Sequence, residues 1–591
     1  MKLTDYLCMQ LSRIGVKNVF GVTGGSAVHL LESAEKRSDL RVIYTHHEQS
    51  ASFAATASSR LNSSLGACFV TTGPGGTNAV TGLASAWLDS VPAVFVSGQA
   101  RSGDSKNLRR VRQVGSQHFD IIKIVESLCK FSFRVENDPN DIVDALILAE
   151  EALLTGRPGP IWLDIALDLQ WSDVDPSLYL NRKKDFKKSV VNDRGDSKSE
   201  ELISELALKI RDSKRPLFII GYGVRLAGRS EELKALCLKK RIPFVTTWNT
   251  IDFCSYAEPQ NCGLLGISGT REANLITNSS DLIVVFGSHL CKQLTGDDLS
   301  RFAPNSEIYV IDIDESEFYH LETSRIKTIC YDLGKLSISD LELKLPNASQ
   351  DWVKKYTQLK SYRDYGIDNE MSLFIDEVNI NQYRVYRIIS EKLKDNDIIV
   401  VDGGGNVLFS ALQNIKVKGS NRLITGSGIG CMGSGLPEAI GAAASSESRV
   451  ICFIGDGSMQ FNIQELETIR HNNLNIVVVI FNNDGYLAIK NTQDAYFNNR
   501  FGVDAASGLS LPDYAKVVTA YDIRYEAFKT ADDLEKFSSI FADSVGPLVM
   551  EVFVPENTPL IPRGGFRENV DGTRVRREIW DMYPDLNINE E

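Results

Sequence analysis

No run in this sequence stays apolar for the roughly 20 residues that a membrane-spanning helix needs, and the opening MKLTDYLCMQLSRIGVKNVFG, an amphipathic helix running into a strand, lacks the apolar core of a signal peptide. Positive charge is in deficit: 64 lysines and arginines face 77 aspartates and glutamates, a net charge of −13. A nucleic-acid footprint needs basic surface, so that class of partner is set aside. The one basic run, NRKKDFKK at 181–188, reads as a solvated linker. The ten cysteines are scattered, with no CxxC pair and no metal-ligand spacing. That argues against a zinc framework and for a reduced cytoplasm. Cys68, Cys129 and Cys452 sit in apolar runs, where a thiol packs as a small hydrophobe. No short repeat is evident. The expectation is a soluble cytoplasmic protein with neither nucleic acid nor membrane as partner.

What the sequence does have is alternation. With 591 residues, 43% hydrophobic and 24% charged, the composition is that of a globular protein too long for one core. Short apolar runs alternate with helical stretches in three blocks. The first holds KNVFGV, RVIYT, GACFVTT, PAVFVSG and PIWLDIA; the second RPLFIIG, IPFVTTW, DLIVVFG and EIYVIDID; the third DIIVVDGG, RVICFIGDG, NIVVVIFNN and LVMEVFV. Strand–helix alternation predicts parallel sheets covered on both faces. The expected fold class is α/β, with three consecutive doubly wound parallel-sheet domains at 1–172, 199–345 and 379–557. Linkers at 173–198 and 346–378 and a tail at 558–591 complete the chain.

Two stretches carry chemistry. In GDGSMQFNIQELETIRHNNLNIVVVIFNNDGY, residues 455–486, a strand ends at Gly455-Asp456-Gly457, a helix follows, and the next strand ends at Asn482-Asn483. Both turns then lie at the carboxyl ends of parallel strands, where ligands bind. Asp456 and Asn483 are one strand–helix–strand unit apart and can converge on one ion. A carboxylate oxygen, an amide oxygen and a backbone carbonyl are hard donors that suit Mg²⁺ completed by phosphate oxygens and water. Gly457 and Ser458 fall where backbone N–H groups at a helix start hold a diphosphate. The plain alternative is two ordinary polar turns. In VIYTHHEQSASFAATASSR, residues 42–60, Val42 to Tyr44 read as the end of a buried strand and Ser50 to Arg60 as a helix of small residues. Glu48 lies between them, beside residues small enough for a neighbour to pack closely. GIGCMG at 428–433 fits the dinucleotide pattern GxGxxG, but RLITGS precedes it in place of a clear strand and no suitable acid follows, so an NAD site is rejected.

A GDG followed at this distance by NN resembles the signature of thiamine diphosphate enzymes. HHEQSASFAA, TTGPGGTNAVTGLASAWLDSVPAVFVSGQ (71–99), GRPGPIWLDI (156–165), GIGCMGSGLPEAIGAA (428–443) and NIQELETIRHNNL resemble acetolactate synthase and its relatives, in order along nearly the whole chain. The resemblance implies a pyrimidine-binding first domain, a flavin-type middle domain and a diphosphate-binding third domain. It implies thiamine diphosphate and Mg²⁺ as cofactors, a 2-keto acid donor, a carbonyl acceptor, and a homodimer or homotetramer with its sites between subunits. It assigns Glu48 to the cofactor's pyrimidine nitrogen, Met432 to the apolar wedge under the bent cofactor, and the backbone of Gly430 to its amino group. Gly405 and Asn406 match a second diphosphate loop; Asp456, Asn483 and the carbonyl of Gly485 match the metal ligands. Gln117 and Lys130 match polar residues at the substrate end, with a loop amide and a surface charge as the alternatives. His47 is either structural or catalytic. Gly24-Gly25 and GPGG at 73–76 permit close backbone approach to the cofactor, or are simply tight turns.

The sequence departs from the family in places. GSHLCKQLTG (287–296) carries His289 and Gln293 where two arginines are usual, while Arg271, Gly221, Gly223, Asp312 and Asp314 fit a flavin-binding pattern. FAD, another adenine nucleotide and a structural spacer all stay open for the middle domain. Thr492 stands where the amino-acid-biosynthetic enzymes carry tryptophan, and Ala488 replaces a larger residue, which opens room for a larger acceptor. The tail PRGGFRENVDGTRVRREIWDMYPDL (562–586) resembles the ends of acetolactate-synthase-like proteins of surface-polysaccharide pathways. Arg563, Arg567, Arg574, Arg576 and Arg577 there either meet a nucleotide diphosphate or are solvated, and the tail is placed to cover the active site. The expected reaction is transfer of a two-carbon unit from pyruvate or a similar 2-keto acid to a 2-keto acid or a nucleotide-linked keto-deoxysugar. Simple decarboxylation and pyruvate oxidation are the alternatives; intact Glu48, Asp456 and Asn483 argue against a non-catalytic member.

Overall fold

The longest apolar runs form strands that are buried on both faces: every residue of Leu65–Val70, Val94–Gln99 and Ile161–Ala166 is buried. The computed structural model describes residues 1–61, 64–105, 111–189, 195–321, 323–365, 367–374, 378–497, 499–568, 571 and 573–586. Its first sheet comprises β1 (Val16–Gly21), β2 (Arg41–Tyr44), β3 (Leu65–Val70), β4 (Val94–Gln99), β5 (Phe131–Val135) and β6 (Ile161–Ala166), in the order β2-β1-β3-β4-β6-β5. The second comprises β7 (Pro216–Ile220), β8 (Phe244–Thr246), β9 (Asn261–Leu264), β10 (Leu282–Phe286), β11 (Glu307–Asp312) and β12 (Ile326–Cys330), ordered β12-β11-β10-β7-β8-β9. The third comprises β13 (Ile398–Val401), β14 (Arg422–Ile424), β15 (Val450–Gly455), β16 (Ile476–Asn482), β17 (Arg524–Phe528) and β18 (Leu548–Phe553), ordered β14-β13-β15-β16-β18-β17. All three are parallel, and the first and third share one topology.

The alternating pattern located the central strands and missed β5, β9, β12, β14 and β17, each of which lies at a sheet edge. An edge strand is covered less completely: β12 has no buried residue, and β14 is only three residues long. The stretch Val42–Tyr44, expected to be buried, is likewise an edge strand in which only Ile43 is buried. RLITGS does contain a short strand, contrary to the expectation.

The two polar connections also differ from expectation. Helix Leu178–Ser189 occupies much of 173–198, held to the first domain by Arg182–Asp144 (2.6 Å) and Lys183–Glu150 (2.8 Å). Residues 190–194 of that stretch lie outside the described residues. In 346–378, helix Gln350–Lys360 buries Trp352, Tyr356 and Leu359 in the middle domain's core, and helix Ile367–Phe374 follows; 366 and 375–377 lie outside the described residues. Their polar faces are helix surfaces, which composition alone does not separate from loops.

One apolar core runs through the first and third domains. Helix Glu48–Arg60 lies at its centre, between helices Pro74–Leu88 and Gly435–Ala444. A Cβ at Gly441 would lie 2.1 Å from the Ala54 carbonyl oxygen, and one at Gly82 2.0 Å from Ser52 Oγ. The small residues after Glu48, which the sequence reading reserved for a second subunit, therefore pack against the chain's own third domain. The Ser58 and Ser445 hydroxyls (2.8 Å) and the Arg422 guanidinium donating to the Arg60 carbonyl (3.0 Å) join the same seam.

The tail lies against the middle domain. Arg271 donates to the carbonyls of Met582 (3.1 Å) and Pro584 (2.6 Å), and the Asn274 amide donates to that of Ile579 (2.8 Å). Strands Phe566–Glu568 and Arg574–Arg576 pair antiparallel. Among the described residues, no helix is long and apolar enough to cross a membrane.

Candidate active site

The site grows from the carboxyl edge of the third sheet. β15 and β16 pair in a register that sets Gly455 beside Phe481, so their following turns meet. Asp456 opens a short helix and is buried. Its carboxylate accepts from the backbone N–H groups of Gly457 (2.8 Å), Asn483 (3.1 Å) and Gly485 (3.0 Å). Burial nevertheless pushes its pKa up to about 6. Asn483 Oδ1 is buried and, among the described residues, accepts no hydrogen bond. Such an orphan costs on the order of 1–3 kcal/mol unless a ligand satisfies it. The Gly485 carbonyl oxygen lies 3.7 Å from where a Gly457 Cβ would stand, and that Cβ would also strike the Tyr486 ring at 2.3 Å. The buried Lys490 ammonium braces the turn, donating to the carbonyls of Asp484 (2.7 Å) and Asn483 (3.3 Å).

Two further loops close on this turn. A Cβ on Gly403 would lie 2.8 Å from the Cys431 nitrogen; one on Gly404 would lie 2.7 Å from Met432 Cγ and 2.8 Å from Ser458 Oγ. Gly405, Asn406, Gly430, Met432, Asp456, Gly457, Ser458, Asn483 and Gly485 are thus brought to one place. Gly405 (φ 64°) and Gly430 (φ 61°) take left-handed backbone, which glycine adopts without strain. Asn406 Nδ2 is a second buried polar atom without a partner among the described residues. Asp402, not singled out from the sequence, ties the loops together: its carboxylate accepts from Gly404 N–H (3.1 Å) and Gly435 N–H (2.9 Å), and burial raises its pKa to about 6. Its place directly before GGGN, at a strand end, was the available signal.

A second group gathers at the carboxyl edge of the first sheet. Glu48 is half-buried; it accepts from Asn78 Nδ2 (3.0 Å) and faces Gly75. His47 is the cap of the Glu48 helix, its Nδ1 accepting from Gln49 N–H (3.1 Å), which gives it a structural role. His46 is exposed, and its backbone N–H donates to Glu465 (3.1 Å). Gly24 abuts Thr71, whereas Gly25 has open space around it. Gln117 is exposed and lies beside Gly73, and its carbonyl accepts from Thr72 Oγ1 (3.2 Å). Lys130 stands apart: its stem packs on Gly159 near Trp87, at the opposite end of helix Pro74–Leu88 from Glu48's partner Asn78. Its ammonium donates to the Thr155 carbonyl (2.6 Å), and burial lowers its pKa. Among the described residues, no hydrogen bond or ion pair joins Glu48 to the loops that hold Asp456, Gly405 or Gly430.

A cavity of about 1100 Å³ opens among the three domains, lined by Gly223, His289, Gln293 and Asp312 and reaching Gly405 and Gly430. Gly221 lies behind its wall, where a Cβ would strike the Gly287 carbonyl oxygen at 2.1 Å. Arg271 does not line it; the tail carbonyls engage that side chain. Burial raises the pKa of Asp312, and Arg157 pairs with Asp314 (3.0 Å) and Glu317. No described tail residue lines the cavity. Arg567 and Arg577 pair with Asp581 (3.0 and 3.1 Å), Arg576 with Asp297, and Arg563 stacks on Tyr583. The side chain of Arg574 lies outside the described residues.

Glycine loops around a buried aspartate and an unpartnered asparagine oxygen on one of two like-wound sheets, with a half-buried glutamate on the other, mark a class of cofactor-binding α/β enzymes. The thiamine pyrophosphate enzyme models match here: the N-terminal TPP binding domain at 1–124, the central domain at 203–335 and the C-terminal TPP binding domain at 403–552. The chain belongs to the thiamine pyrophosphate enzyme family. It is 30% identical to a probable acetolactate synthase large subunit of Methanocaldococcus jannaschii, covering 96% of this chain and 95% of that one. It is 28% identical to the acetolactate synthase large subunit of Lactococcus lactis (96% and 96%), and 26% identical to that of isozyme 1 of Escherichia coli (96% and 97%). Within the family it is an acetolactate synthase-like, thiamine diphosphate-dependent enzyme.

Proposed function

We propose that the enzyme is a Mg²⁺-dependent carboligase that releases carbon dioxide from pyruvate or a similar 2-keto acid and transfers the remaining two-carbon unit to an acceptor carbonyl. The observation that carries this reading is the buried, orphaned Asn483 Oδ1, on a residue whose backbone N–H donates to the Asp456 carboxylate (3.1 Å). Asp456, Asn483 Oδ1 and the Gly485 carbonyl are the hard-oxygen set for Mg²⁺. Backbone N–H groups at Gly405, Asn406 and Ser458 would hold the diphosphate, while that of Gly457 donates to the Asp456 carboxylate. Bound there, thiamine diphosphate supplies the electron sink for decarboxylation. Met432 would give the cofactor an apolar support, and the Gly430 backbone would bind its amino group. Glu48, supplied by a second copy of the chain, holds a proton at the pyrimidine nitrogen, which makes the working enzyme a dimer or a higher assembly. Gln117, on the Glu48 side, orients substrate. Lys130 is assigned to the Thr155 turn, because its ammonium donates to that carbonyl and stands at the far end of the helix from Glu48's partner Asn78.

The acceptor is a carbonyl compound larger than a simple 2-keto acid, such as a nucleotide-linked keto-deoxysugar. Small side chains next to the cradle support this: Ala488 Cβ lies 3.5 Å from where a Gly405 Cβ would stand, and Thr492 is exposed, with its hydroxyl donating to the Ala488 carbonyl (3.0 Å). Arg567, Arg576 and Arg577 of the tail are paired with carboxylates and lend the nucleotide no support. Acetolactate formation is the second reading, favoured by the relatives' names. The test is incubation with pyruvate, with and without candidate acceptors, and product identification by mass spectrometry. Acetolactate as the one efficient product would overturn the larger acceptor. The large cavity is assigned to a dinucleotide, FAD by the family pattern; its volume and the close glycines 221, 223 and 287 support this, and Arg271 does not. A visible absorption spectrum of the purified protein tests it, with no flavin band as the contrary result.

A further inference from the structure

The helix Gly435–Ala444 starts just after the loop that carries Gly430 and Met432, and its first turn holds an acid that the reaction leaves unused. Glu438 is 0% exposed, and both its carboxyl oxygens lack a hydrogen-bond partner among the described residues. A Cβ on Gly426 would stand 2.8 Å from Glu438 Oε1 and 3.1 Å from Ser85 Oγ, so the carboxyl and the hydroxyl face one small space across that glycine. Ser85, on helix Pro74–Leu88 of the first domain, and Thr425, next to Gly426, are also 0% exposed, and both hydroxyls are unpartnered among the described residues. Two buried oxygen-bearing side chains from two helices and two domains thus face one space with no bond yet made between them.

Burial opposes a charge on Glu438 and outweighs the Arg60 guanidinium and the Gly426 N–H, which favour one. Arg60, from the Glu48 helix, is committed to Asp89 (2.6 Å), whose other oxygen accepts from the backbone N–H of Gly428 (3.0 Å) in the same loop. Asp402, from the end of β13, faces Glu438 as a second acid, and the thiols of Cys431 and Cys452 lie nearby. A neutral carboxyl, by contrast, both donates and accepts, which is what a hydroxyl in a closed space requires.

We propose that Glu438 and Ser85 form a hydrogen-bonded latch across the domain seam, with the Glu438 carboxyl as its proton donor, and that Glu438 is a positioning residue for the loop bearing Gly430 and Met432. Burial raises its pKa to about 8, in keeping with a donor that keeps its proton at neutral pH. The latch opens when that proton is lost, and the loop then holds the cofactor less tightly. This rests on the thiamine diphosphate reading given above.

The test is calorimetric titration of the full-length chain with thiamine diphosphate and Mg²⁺ between pH 6 and 9.5. For the wild type, the dissociation constant is expected to be level to about pH 8 and then to rise several-fold per unit. Glu438→Gln keeps a donor that does not titrate; it is expected to bind within threefold of wild type at pH 7 and to lack the alkaline rise. Glu438→Ala is expected to bind at least tenfold more weakly at pH 7. An alkaline rise in Glu438→Gln equal to that of the wild type overturns the latch. If thiamine diphosphate binds at no pH, the cofactor reading fails, and the latch is decided by melting of the chain alone. Glu438→Gln must then lack the wild type's loss of melting temperature between pH 6 and 9.5, and an identical loss in both refutes it.

Discussion

Substituting Gly441 with alanine probes the contact that holds the first and third domains together. The new Cβ would lie 2.1 Å from the Ala54 carbonyl oxygen and 2.8 and 2.9 Å from the Ala54 carbonyl carbon and Cα, all backbone atoms that no rotamer change can move. The Glu48 helix cannot retreat, because Gly82 already lets the helix on its far side approach to 2.0 Å of Ser52 Oγ from an equivalent Cβ position. The two helices must therefore separate by roughly 1 Å, and overpacking of this kind costs about 1–3 kcal/mol. Here the upper end applies, less about 1 kcal/mol gained from replacing a helical glycine. The net is about 2 kcal/mol, or a melting temperature roughly 4–8 °C lower. The control is Gly419→Ala, where a Cβ meets nothing within 4 Å. Differential scanning calorimetry of both variants and wild type gives the answer. A Gly441→Ala melt within 1 °C of wild type would refute the described helix crossing.

Asn483→Ala removes an orphaned acceptor, so it is expected to leave the melting of the cofactor-free chain unchanged or slightly raised while weakening Mg²⁺-dependent thiamine diphosphate binding at least tenfold by calorimetry. For Glu438, the folded chain keeps the proton to about pH 8, whereas an unfolded glutamate releases it near 4.5; the folded state binds the extra proton between those values, and stability falls as pH rises through them. At about 1.4 kcal/mol per unit, Glu438→Gln is expected to stabilise the chain by about 3 kcal/mol at pH 7 and by almost nothing at pH 4, read by denaturant unfolding at both. Arg271→Ala removes two donors to tail carbonyls, so limited proteolysis is expected to cut within 562–586 at least severalfold faster while the body of the protein stays intact.

What could be read from the sequence, and what could not, follows from how local each signal is. Central strands announced themselves because burial on both faces demands unbroken apolar runs, whereas β12 and β14, part-exposed or short, carry no such demand. Asp456 and Asn483 were legible because one strand–helix–strand unit fixes their separation in space as well as in sequence. Glu438 was not: it is one acid among 77 acidic residues, and only enclosure gives it meaning, whereas Asp402 left a signal in its place before GGGN. Arg271 fitted a flavin pattern, yet it anchors a tail more than three hundred residues away, a contact that no local pattern encodes. The small residues after Glu48 were read correctly as a close-packing face, but the neighbour they admit is the chain's own third domain.

The central claim is that Glu48 drives turnover of a 2-keto acid on a cradle built from Asp456 and Asn483. The direct test is carbon dioxide release from pyruvate with thiamine diphosphate and Mg²⁺, wild type against Glu48→Gln, with calorimetric cofactor binding measured on the same samples. The account predicts release by the wild type together with a two-carbon-transfer product, and a loss of about a hundredfold or more in the variant with cofactor binding retained. Equal turnover in the two proteins, or no release from any 2-keto acid by the wild type, would contradict it.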